Sequence, residues 1–337
     1  MIAAALIAFS VTLAACPAVI VALRRSEVLD RPGSRSSHVT PVPRGVGLAV
    51  ALGGISAAGL SPGLSNWRVT LVVVSAAFGV LGLVEDLRGV PSLQRLLAQG
   101  LIAVAALPLL VQDLSGPLPW RLLFTFGVLL WLVSYVNAFN FMDGINGISA
   151  VQAAVAGASW WAIGSAEGAT TLQVGGAIVV GAAAGFAPFN FPRARAFLGD
   201  VGSYFLGAWL AVLVVVGLRA GLAVEAVVAP LAVALTDTLW TLVGRVRRGA
   251  NWHQPHREHV YQRLVIAGWS HTATTLFVGS FVIACSGVGA MTLVISAFPG
   301  RLAVDLTIAA LLVAYVLSPR LVARVPMSPR PAGRGHR

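Results

Sequence analysis

Three polar residues recur at intervals of three directly after an apolar run of the sequence. Asn137, Asn140 and Asp143 follow residues 122–136, which with their flanks are long enough to cross a bilayer, and Asn146 comes three residues later. If the segment is helical, this spacing brings the first three to roughly one face. Polar side chains without partners are costly at membrane depth, so the stretch predicts a binding or catalytic site. The alternative is an asparagine-rich helix cap.

Four carboxylates have the chemistry for a magnesium site: Glu85, Asp86, Asp143 and Asp200. Mg²⁺ prefers oxygen ligands and is typically held by one or two carboxylates plus substrate phosphates. Asp200 is the predicted metal ligand, because glycines flank it and a helix whose N-terminus can host an anion begins near Ser203. The alternative is that Asp200 only caps that helix.

Glu85 and Asp86 are adjacent, and adjacent residues do not share a helix face. We therefore expect different tasks for them: one accepts or orients a substrate proton, and the other contacts the metal or the substrate. Together with Asp200 they are the predicted catalytic residues, and Asp86 is the predicted second metal ligand. The alternative is that both mark a helix end at the membrane interface.

Arginines accompany these carboxylates in two polar segments. Arg31, Arg35 and Arg44 lie in one segment and Arg193 and Arg195 in another, where their guanidinium groups could pair with phosphates bidentately. The alternative is that they only set the membrane topology and contact anionic headgroups.

His256 and His259 are three residues apart, so on a helix they face the same way. No third metal ligand is evident, which favours phosphate contact or stabilisation of a leaving group over a metal site. The alternative is an exposed loop with unremarkable histidines. Asp237 lies inside an apolar run, where a carboxylate either serves function or pairs with a neighbouring helix. The residues predicted to bind substrate are Asn137, Asn140, Asp143, Asn146, Arg35, His38, Arg44, Asn190, Arg195, His256 and His259.

The composition predicts an all-α, polytopic integral membrane protein. Of 337 residues, 57% are hydrophobic and 10% charged, with a mean hydropathy of +0.85. All of the basic side chains except the histidines are arginine, and they lie between apolar runs, which argues against a nucleic-acid partner. Without lysine no phosphate-binding loop of the nucleotide hydrolases can form. Cys16 and Cys285 lie far apart inside apolar runs and are expected to be inert.

Hydropathy predicts about eleven spans in one catalytic domain, residues 1–319, followed by an Arg-, Pro- and Gly-rich tail, residues 320–337, expected to be disordered. If the odd-numbered loops and the tail share a side, nineteen arginines lie there and four on the other. That asymmetry predicts cytoplasmic odd loops, an outside N-terminus and a cytoplasmic C-terminus. The predicted spans are 2–23, 46–62, 68–84, 95–112, 121–137, 147–164, 171–187, 202–218, 222–243, 271–293 and 301–319.

All five polar segments then lie on the cytoplasmic side, and together they resemble a known family. From about residue 28 to 264 the chain is similar to the polyprenyl-phosphate N-acetylhexosamine-1-phosphate transferases, glycosyltransferase family 4. The last segment resembles the branch that starts O-antigen synthesis more than the peptidoglycan translocase branch. With the five cytoplasmic polar segments numbered as loops one to five, the resemblance is carried by Asp30-Arg31 and Arg44-Gly45 in loop one, Glu85-Asp86 in loop two, Asn137 to Gly147 in loop three, Gly199-Asp200 in loop four, and His256 to Leu264 in loop five.

The resemblance implies transfer of a sugar 1-phosphate from a UDP-N-acetylhexosamine to undecaprenyl phosphate, with release of UMP. It implies Mg²⁺ (with Mn²⁺ as an alternative) at Asp200 and a general base at the first acid of the Glu85-Asp86 pair. It also implies a location in the bacterial inner membrane with lipid contact, and it is compatible with a homodimer. Two positions depart from the family: Glu85 stands where most relatives have aspartate, and Asn146 where several do. The amide of Asn146 cannot be a base, and the assignment between Glu85 and Asp86 stays open.

Two other functions compete with the transferase. A secondary transporter of anionic nucleotide sugars or lipids would place its polar site near the bilayer midplane within internal repeats. Here the polar residues gather at one face and no repeat is visible. An inactive relative of the enzymes is supported only by the departures at Glu85 and Asn146.

Overall fold

The computed structural model describes residues 1–31, 40–64, 67–250 and 256–322. Two predicted binding residues, Arg35 and His38, and the predicted tail from residue 323 onward lie outside these ranges. The last helix continues to Val322, past the predicted start of the tail at residue 320.

The regular secondary structure of the described residues is helical apart from two short strands, which confirms the all-α membrane fold. The strands are β1 (Leu29–Asp30) and β2 (Val42–Pro43), which pair antiparallel with Leu29 opposite Pro43. The helices are α1 (Ile2–Arg25), α2 (Gly47–Leu60), α3 (Trp67–Arg88), α4 (Ser92–Leu110), α5 (Leu118–Met142), α6 (Ile148–Ala166), α7 (Thr170–Asn190), α8 (Gly199–Arg219), α9 (Val224–Val228), α10 (Ala232–Arg247), α11 (Val260–Ile266), α12 (His271–Ala290) and α13 (Phe298–Val322).

Every predicted span coincides with helix, and within the described ranges nine helical segments are long and apolar enough to cross a membrane. The other two are α2, which is apolar but only 14 residues long, and α6, which is rich in alanine, serine and tryptophan. The total of eleven spans therefore stays a prediction. Helices α9 and α10, joined by a 3₁₀ turn, form one of the nine segments.

Helix α8 lies at the centre of the bundle, and 94% of the residues in its apolar 18-residue stretch are buried. It packs against α3, α5 and α2, and glycines allow the backbones to approach closely. A Cβ on Gly47 would lie 2.2 Å from the Gly202 Cα, and one on Gly82 would lie 2.1 Å from the Asp200 carbonyl oxygen. The first turn of α8 is therefore pressed between the start of α2 and the end of α3.

A backbone strap fixes the segment before α2 against the segment before α8. Phe197 N–H donates to the Pro43 carbonyl at 2.8 Å, and the N–H groups of Val46 and Gly47 donate to the carbonyls of Phe197 and Leu198 at 3.0 and 2.8 Å. Through this strap, loops one and four of the sequence meet at one end of the bundle, where α3, α5 and α7 also end.

Candidate active site

Asp200 lies in the first turn of α8 and is held from two sides. Its Oδ2 accepts from Arg44 Nη2 at 2.8 Å, and its Oδ1 accepts from Asn140 Nδ2 at 2.7 Å. Asn140 Nδ2 also donates to the Ser203 hydroxyl at 2.9 Å. Side chains from loop one, from the end of α5 and from α8 therefore meet at one carboxylate. Its charge is stabilised by Arg44 and by the N-terminus of its own helix.

Asp86 contacts the same N-terminal end of α8, but it bonds to the backbone of that end. Its Oδ1 accepts the Asp200 N–H at 3.0 Å and its Oδ2 accepts the Val201 N–H at 2.9 Å, so the carboxylate satisfies two N–H groups of the first turn of α8. The side chain is 1% exposed and also forms an ion pair with Arg44 Nε at 2.9 Å. In this arrangement Asp86 orients Asp200 and Arg44; its predicted role as a metal ligand stays a prediction.

The backbone around Asp86 leaves space only for glycine. Gly199 has a φ of +73°, a conformation that glycine adopts without strain. A Cβ at this position would also lie 2.6 Å from the Asp86 Oδ2. The glycine that precedes Asp200 in the sequence is thus what lets the Asp86 carboxylate reach the helix end.

Arg44 bridges the two aspartates with different nitrogens, Nε to Asp86 and Nη2 to Asp200. Its side chain is 43% exposed, so part of the guanidinium stays accessible for an anionic ligand. A lysine could not reproduce this fork, because its ammonium is a single point charge.

Glu85 points away from Asp86, as adjacency on a helix requires. Its Oε2 accepts the Val90 N–H at 2.5 Å, and its Oε1 pairs with Arg95 Nη1 at 3.3 Å. The two acids therefore have separate partners. Their chemical roles stay predictions.

The asparagines of loop three do not act as one group. Asn137 Nδ2 donates to the Gln99 side chain of α4 at 2.6 Å and to the Val133 carbonyl at 2.7 Å, whereas Asn140 faces Asp200. Three residues turn an α-helix by about 300°, so each step of three rotates the side chain about 60° from the previous one. The expectation of a single shared face was too coarse, because this rotation brings Asn137 to α4 and Asn140 to α8.

Asp143 follows the end of α5 and accepts a hydrogen bond from the Ser149 hydroxyl at 2.7 Å. Burial raises the pKa of Asp143 to about 7. The Ser149 hydrogen bond opposes this rise, and the nearby Asp200 charge adds to it. The carboxyl group is therefore poised between its protonated and ionised forms near neutral pH.

Asn190 and Asn146 join loops three and four. Asn190 Oδ1 accepts the Gly147 N–H at 2.6 Å, and its Nδ2 donates to the Ala196 carbonyl at 2.9 Å. Asn146 Nδ2 donates to the Pro192 carbonyl at 3.1 Å. Arg195, in the same loop, is exposed and donates to the Pro188 carbonyl at 2.7 Å.

The two histidines lie in different surroundings. His259 is buried, and its Nδ1 lies 2.9 Å from Asp237 Oδ1. His256 is half-buried, and burial lowers its pKa to about 4, with the neighbouring His259 and Arg245 adding to the shift. These surroundings favour the neutral imidazole of His256 at pH 7.

A cavity of about 440 Å³ opens beside Asp200, within the usual size range of small-molecule sites. Asn137, Arg195, His256 and His259 lie outside its lining. The residues that line it are Asp30, Arg44, Glu85, Arg95, Asn140, Asp143, Gly144, Ile145, Asn146, Asn190, Phe197, Gly199, Asp200, Arg257 and Gln262.

Comparison with known proteins identifies the family. The family model described as glycosyl transferase family 4 matches residues 68–218. The decaprenyl-phosphate N-acetylglucosaminephosphotransferase of Mycobacterium tuberculosis is 30% identical over 294 residues, which cover 73% of this chain and 71% of that protein. The chain belongs to glycosyl transferase family 4. This confirms the family predicted from the five polar segments.

Two further family members show the range of similar proteins. The probable undecaprenyl-phosphate N-acetylglucosaminyl 1-phosphate transferase of Bacillus subtilis is 28% identical over 267 residues, 74% of this chain and 73% of that protein. The phospho-N-acetylmuramoyl-pentapeptide-transferase of Geobacillus kaustophilus is 33% identical over 175 residues, 45% of this chain and 53% of that protein.

The carboxylates of this family 4 chain fit a magnesium ion whose remaining coordination positions are filled by substrate phosphates and water. Within the described ranges no cluster of three or more His, Cys, Asp or Glu side chains could hold a metal ion. Asp200 and Asp143 both line the cavity, and Mg²⁺ typically takes one or two carboxylates and fills its other positions with water and substrate phosphates.

Among the cavity residues with charged or amide side chains, sequence reasoning missed four: Asp30, Arg95, Arg257 and Gln262. All four lie in or beside the polar segments. In the sequence, Arg95 contributes only to the arginine asymmetry that predicts the membrane topology. In the last polar segment, the histidines are a stronger functional signal than the neighbouring Arg257 and Gln262.

Proposed function

We propose that this protein transfers N-acetylglucosamine 1-phosphate, or the 1-phosphate of a deoxy or epimeric N-acetylhexosamine, from its UDP derivative to undecaprenyl phosphate, releasing UMP. The observation that carries the proposal is the junction of Arg44, Asn140 and Asp200 beside a polar cavity at one end of the membrane helices. The names of the relatives, several of which are N-acetylglucosamine phosphotransferases acting on polyprenyl phosphates, support the same reaction.

The position of the cavity suits the meeting of a water-soluble and a lipid substrate. It lies where α3 and α5 end and α8 begins, so a lipid phosphate at the membrane interface can reach the site while its chain stays in the bilayer. The arginine asymmetry of the sequence predicts that this end is cytoplasmic, where nucleotide sugars are available.

The chain's own residues account for most of the chemistry. Arg44 and Arg95 offer guanidinium donors to the pyrophosphate and to the lipid phosphate, and Asn140 holds Asp200 in place. Mg²⁺ held by Asp200 and Asp143 would neutralise charge on the pyrophosphate. An oxygen of the lipid phosphate then attacks the sugar-linked phosphorus, and the bond from that phosphorus to the UMP oxygen breaks.

Of the two adjacent acids, Glu85 lines the cavity and Asp86 does not. Glu85 is therefore the better candidate to orient the lipid phosphate or accept its proton. Asp86 would act through Asp200 and Arg44, which it contacts directly.

The glycan that the product starts is proposed to be of the O-antigen type. The proposal rests on the segment from His256 to Leu264, whose residues resemble that branch more than the peptidoglycan translocase branch. The identity of the donor sugar is a property of the reaction itself, and one assay addresses it.

The test uses purified protein in detergent with Mg²⁺, undecaprenyl phosphate and a panel of UDP-N-acetylhexosamines. We expect UMP release with one donor of the panel, strictly dependent on the lipid phosphate, and a lipid-linked sugar pyrophosphate as the second product. Release of UDP instead of UMP would contradict transfer of a sugar phosphate. No turnover with any donor, from protein shown to be folded, would contradict the proposal as a whole.

A further inference from the structure

Asp237 is a fully buried carboxylate at which three helices meet. It lies in α10, and its Oδ2 accepts the hydroxyl of Tyr315 in α13 at 2.7 Å. Its Oδ1 lies 2.9 Å from His259 Nδ1 and accepts the Val260 N–H, at the start of α11, at 3.0 Å. The Thr241 hydroxyl donates to the same oxygen at 3.3 Å.

A carboxylate removed from water is stable only if its oxygens are well supplied with donors. Asp237 receives donors from its own helix, from the last helix and from the segment before α11. The loss of any one of these donors weakens the position of the other two, because they share the carboxylate.

The segment tied down by Asp237 forms part of the cavity wall. Residues 256–264 include Arg257 and Gln262, which both line the cavity, and His259 and Val260, which both contact Asp237, lie between them. The Gln262 side chain accepts the His259 N–H at 3.2 Å, so the fixed residue and the cavity residue are directly coupled.

A second anchor holds this segment to loop three. The Tyr261 hydroxyl donates to the Phe141 carbonyl at 2.9 Å, at the end of α5. A Cβ on Gly144 would lie 2.0 Å from that hydroxyl, so the glycine of the loop-three motif makes room for it. The segment is therefore fixed on one side by Asp237 and on the other by the backbone beside Asp143.

We propose that Asp237 and Tyr315 are positioning residues that hold residues 256–264 so that Arg257 and Gln262 face the pyrophosphate of the nucleotide substrate. The inference rests on the proposed function for the identity of that substrate. Both residues lie outside the family-matched segment, residues 68–218, and Tyr315 belongs to a helix that contributes no residue to the cavity lining.

The decisive variant is Tyr315→Phe, which keeps the ring against Phe281 and removes only the hydroxyl. Tyr135→Phe is the matched control, since Tyr135 is equally buried but stacks on Trp131 in α5. We expect Tyr315→Phe to raise the KM for the nucleotide sugar about 5- to 10-fold, the equivalent of one lost hydrogen bond, with kcat within about 2-fold. Tyr135→Phe is expected to leave both constants unchanged.

A double-mutant cycle separates positioning from a general loss of stability. If Tyr315 acts through Arg257, then Tyr315→Phe adds little to the KM increase caused by Arg257→Gln. Multiplication of the two separate KM effects in the double variant would contradict positioning through Arg257. A fall in kcat with unchanged KM would contradict it as well.

Hydrogen exchange provides a test that does not depend on activity. Amides of residues 256–264 should exchange faster in Tyr315→Phe and in Asp237→Asn than in the wild type, whereas those of α8 should not. Unchanged exchange in this segment would overturn the inference even if the transferase reaction is established. Faster exchange in a protein without UMP release would support the anchoring and contradict only the proposed function.

Discussion

Asp86 accepts the backbone N–H of Asp200 at 3.0 Å, so one carboxylate of the site fixes the main chain that carries the other. Together with the Val201 N–H, this contact places the Asp86 charge at the positive end of α8. Arg44 then links both side chains from the cavity side. The three residues form one unit, and each is expected to affect the geometry of the other two.

Asp86→Asn should lower kcat/KM by about 100-fold, because the amide offers one acceptor where two N–H groups need one each. The ion pair with Arg44 is also lost. Steady-state UMP release measures the effect, with Arg88→Gln as a control at the exposed end of the same helix. Activity within about 2-fold of the wild type would show that the hydrogen bonds between the Asp86 carboxylate and the start of α8 do not orient Asp200.

Arg44→Lys should lower kcat/KM by about 10- to 100-fold although it keeps the charge, because one ammonium cannot replace the fork between Asp86 and Asp200. The matched control is Arg195→Lys, which changes an exposed arginine outside the cavity lining. It is expected to retain nearly full activity. If both variants lose activity equally, the contribution of Arg44 to activity does not depend on its bridge between Asp86 and Asp200.

Asn137→Ala and Asn140→Ala should separate stability from activity. Asn137 contacts the buried Gln99, so its loss should lower the free energy of unfolding by about 1–3 kcal/mol with little effect on turnover of folded protein. Asn140 contacts Asp200, so its loss should lower turnover at least about 10-fold. Thermal unfolding and UMP release, measured on the same preparations, check both. Equal effects on activity would contradict the different orientations of the two side chains.

His256 should make the protein less stable as the pH falls. Its pKa is about 4 in the folded protein, against 6.5 for an unperturbed histidine, so between these values the unfolded chain binds the proton more tightly. The stability associated with the neutral ring is fully present above pH 6.5 and is lost as the pH falls toward 4. His256→Gln should therefore flatten the decrease in melting temperature between about pH 7 and pH 5. The same slope in both proteins would show that His256 titrates normally.

Much of the fold could be predicted from the sequence, because apolar runs long enough to span a bilayer have few alternative structures. All eleven predicted segments are helical in the structure. Residues from all five polar segments line one cavity, because loops at one end of a helical bundle share limited space. What the apolar pattern could not decide is whether α2, with 14 residues, crosses the membrane.

The orientations of individual side chains were less predictable. Asn137 and Asn140 occur in the same motif, yet the rotation of the helix turns one to Gln99 and the other to Asp200. For Asp237 the sequence left function and helix pairing open, and its partners His259 and Tyr315 are 22 and 78 residues away. Such contacts depend on how the helices pack, which no local pattern specifies.

The most direct test of the account is a titration of Mg²⁺ against UMP release in the wild type and in Asp200→Asn. Asn140 Nδ2 can still donate to the side-chain oxygen of the amide, so the variant is expected to fold. We predict Mg²⁺-dependent release in the wild type and a loss of at least about 1,000-fold in Asp200→Asn that added Mg²⁺ does not restore. Unchanged release in Asp200→Asn, with the same Mg²⁺ dependence, would contradict the assignment of Asp200 as the centre of the site.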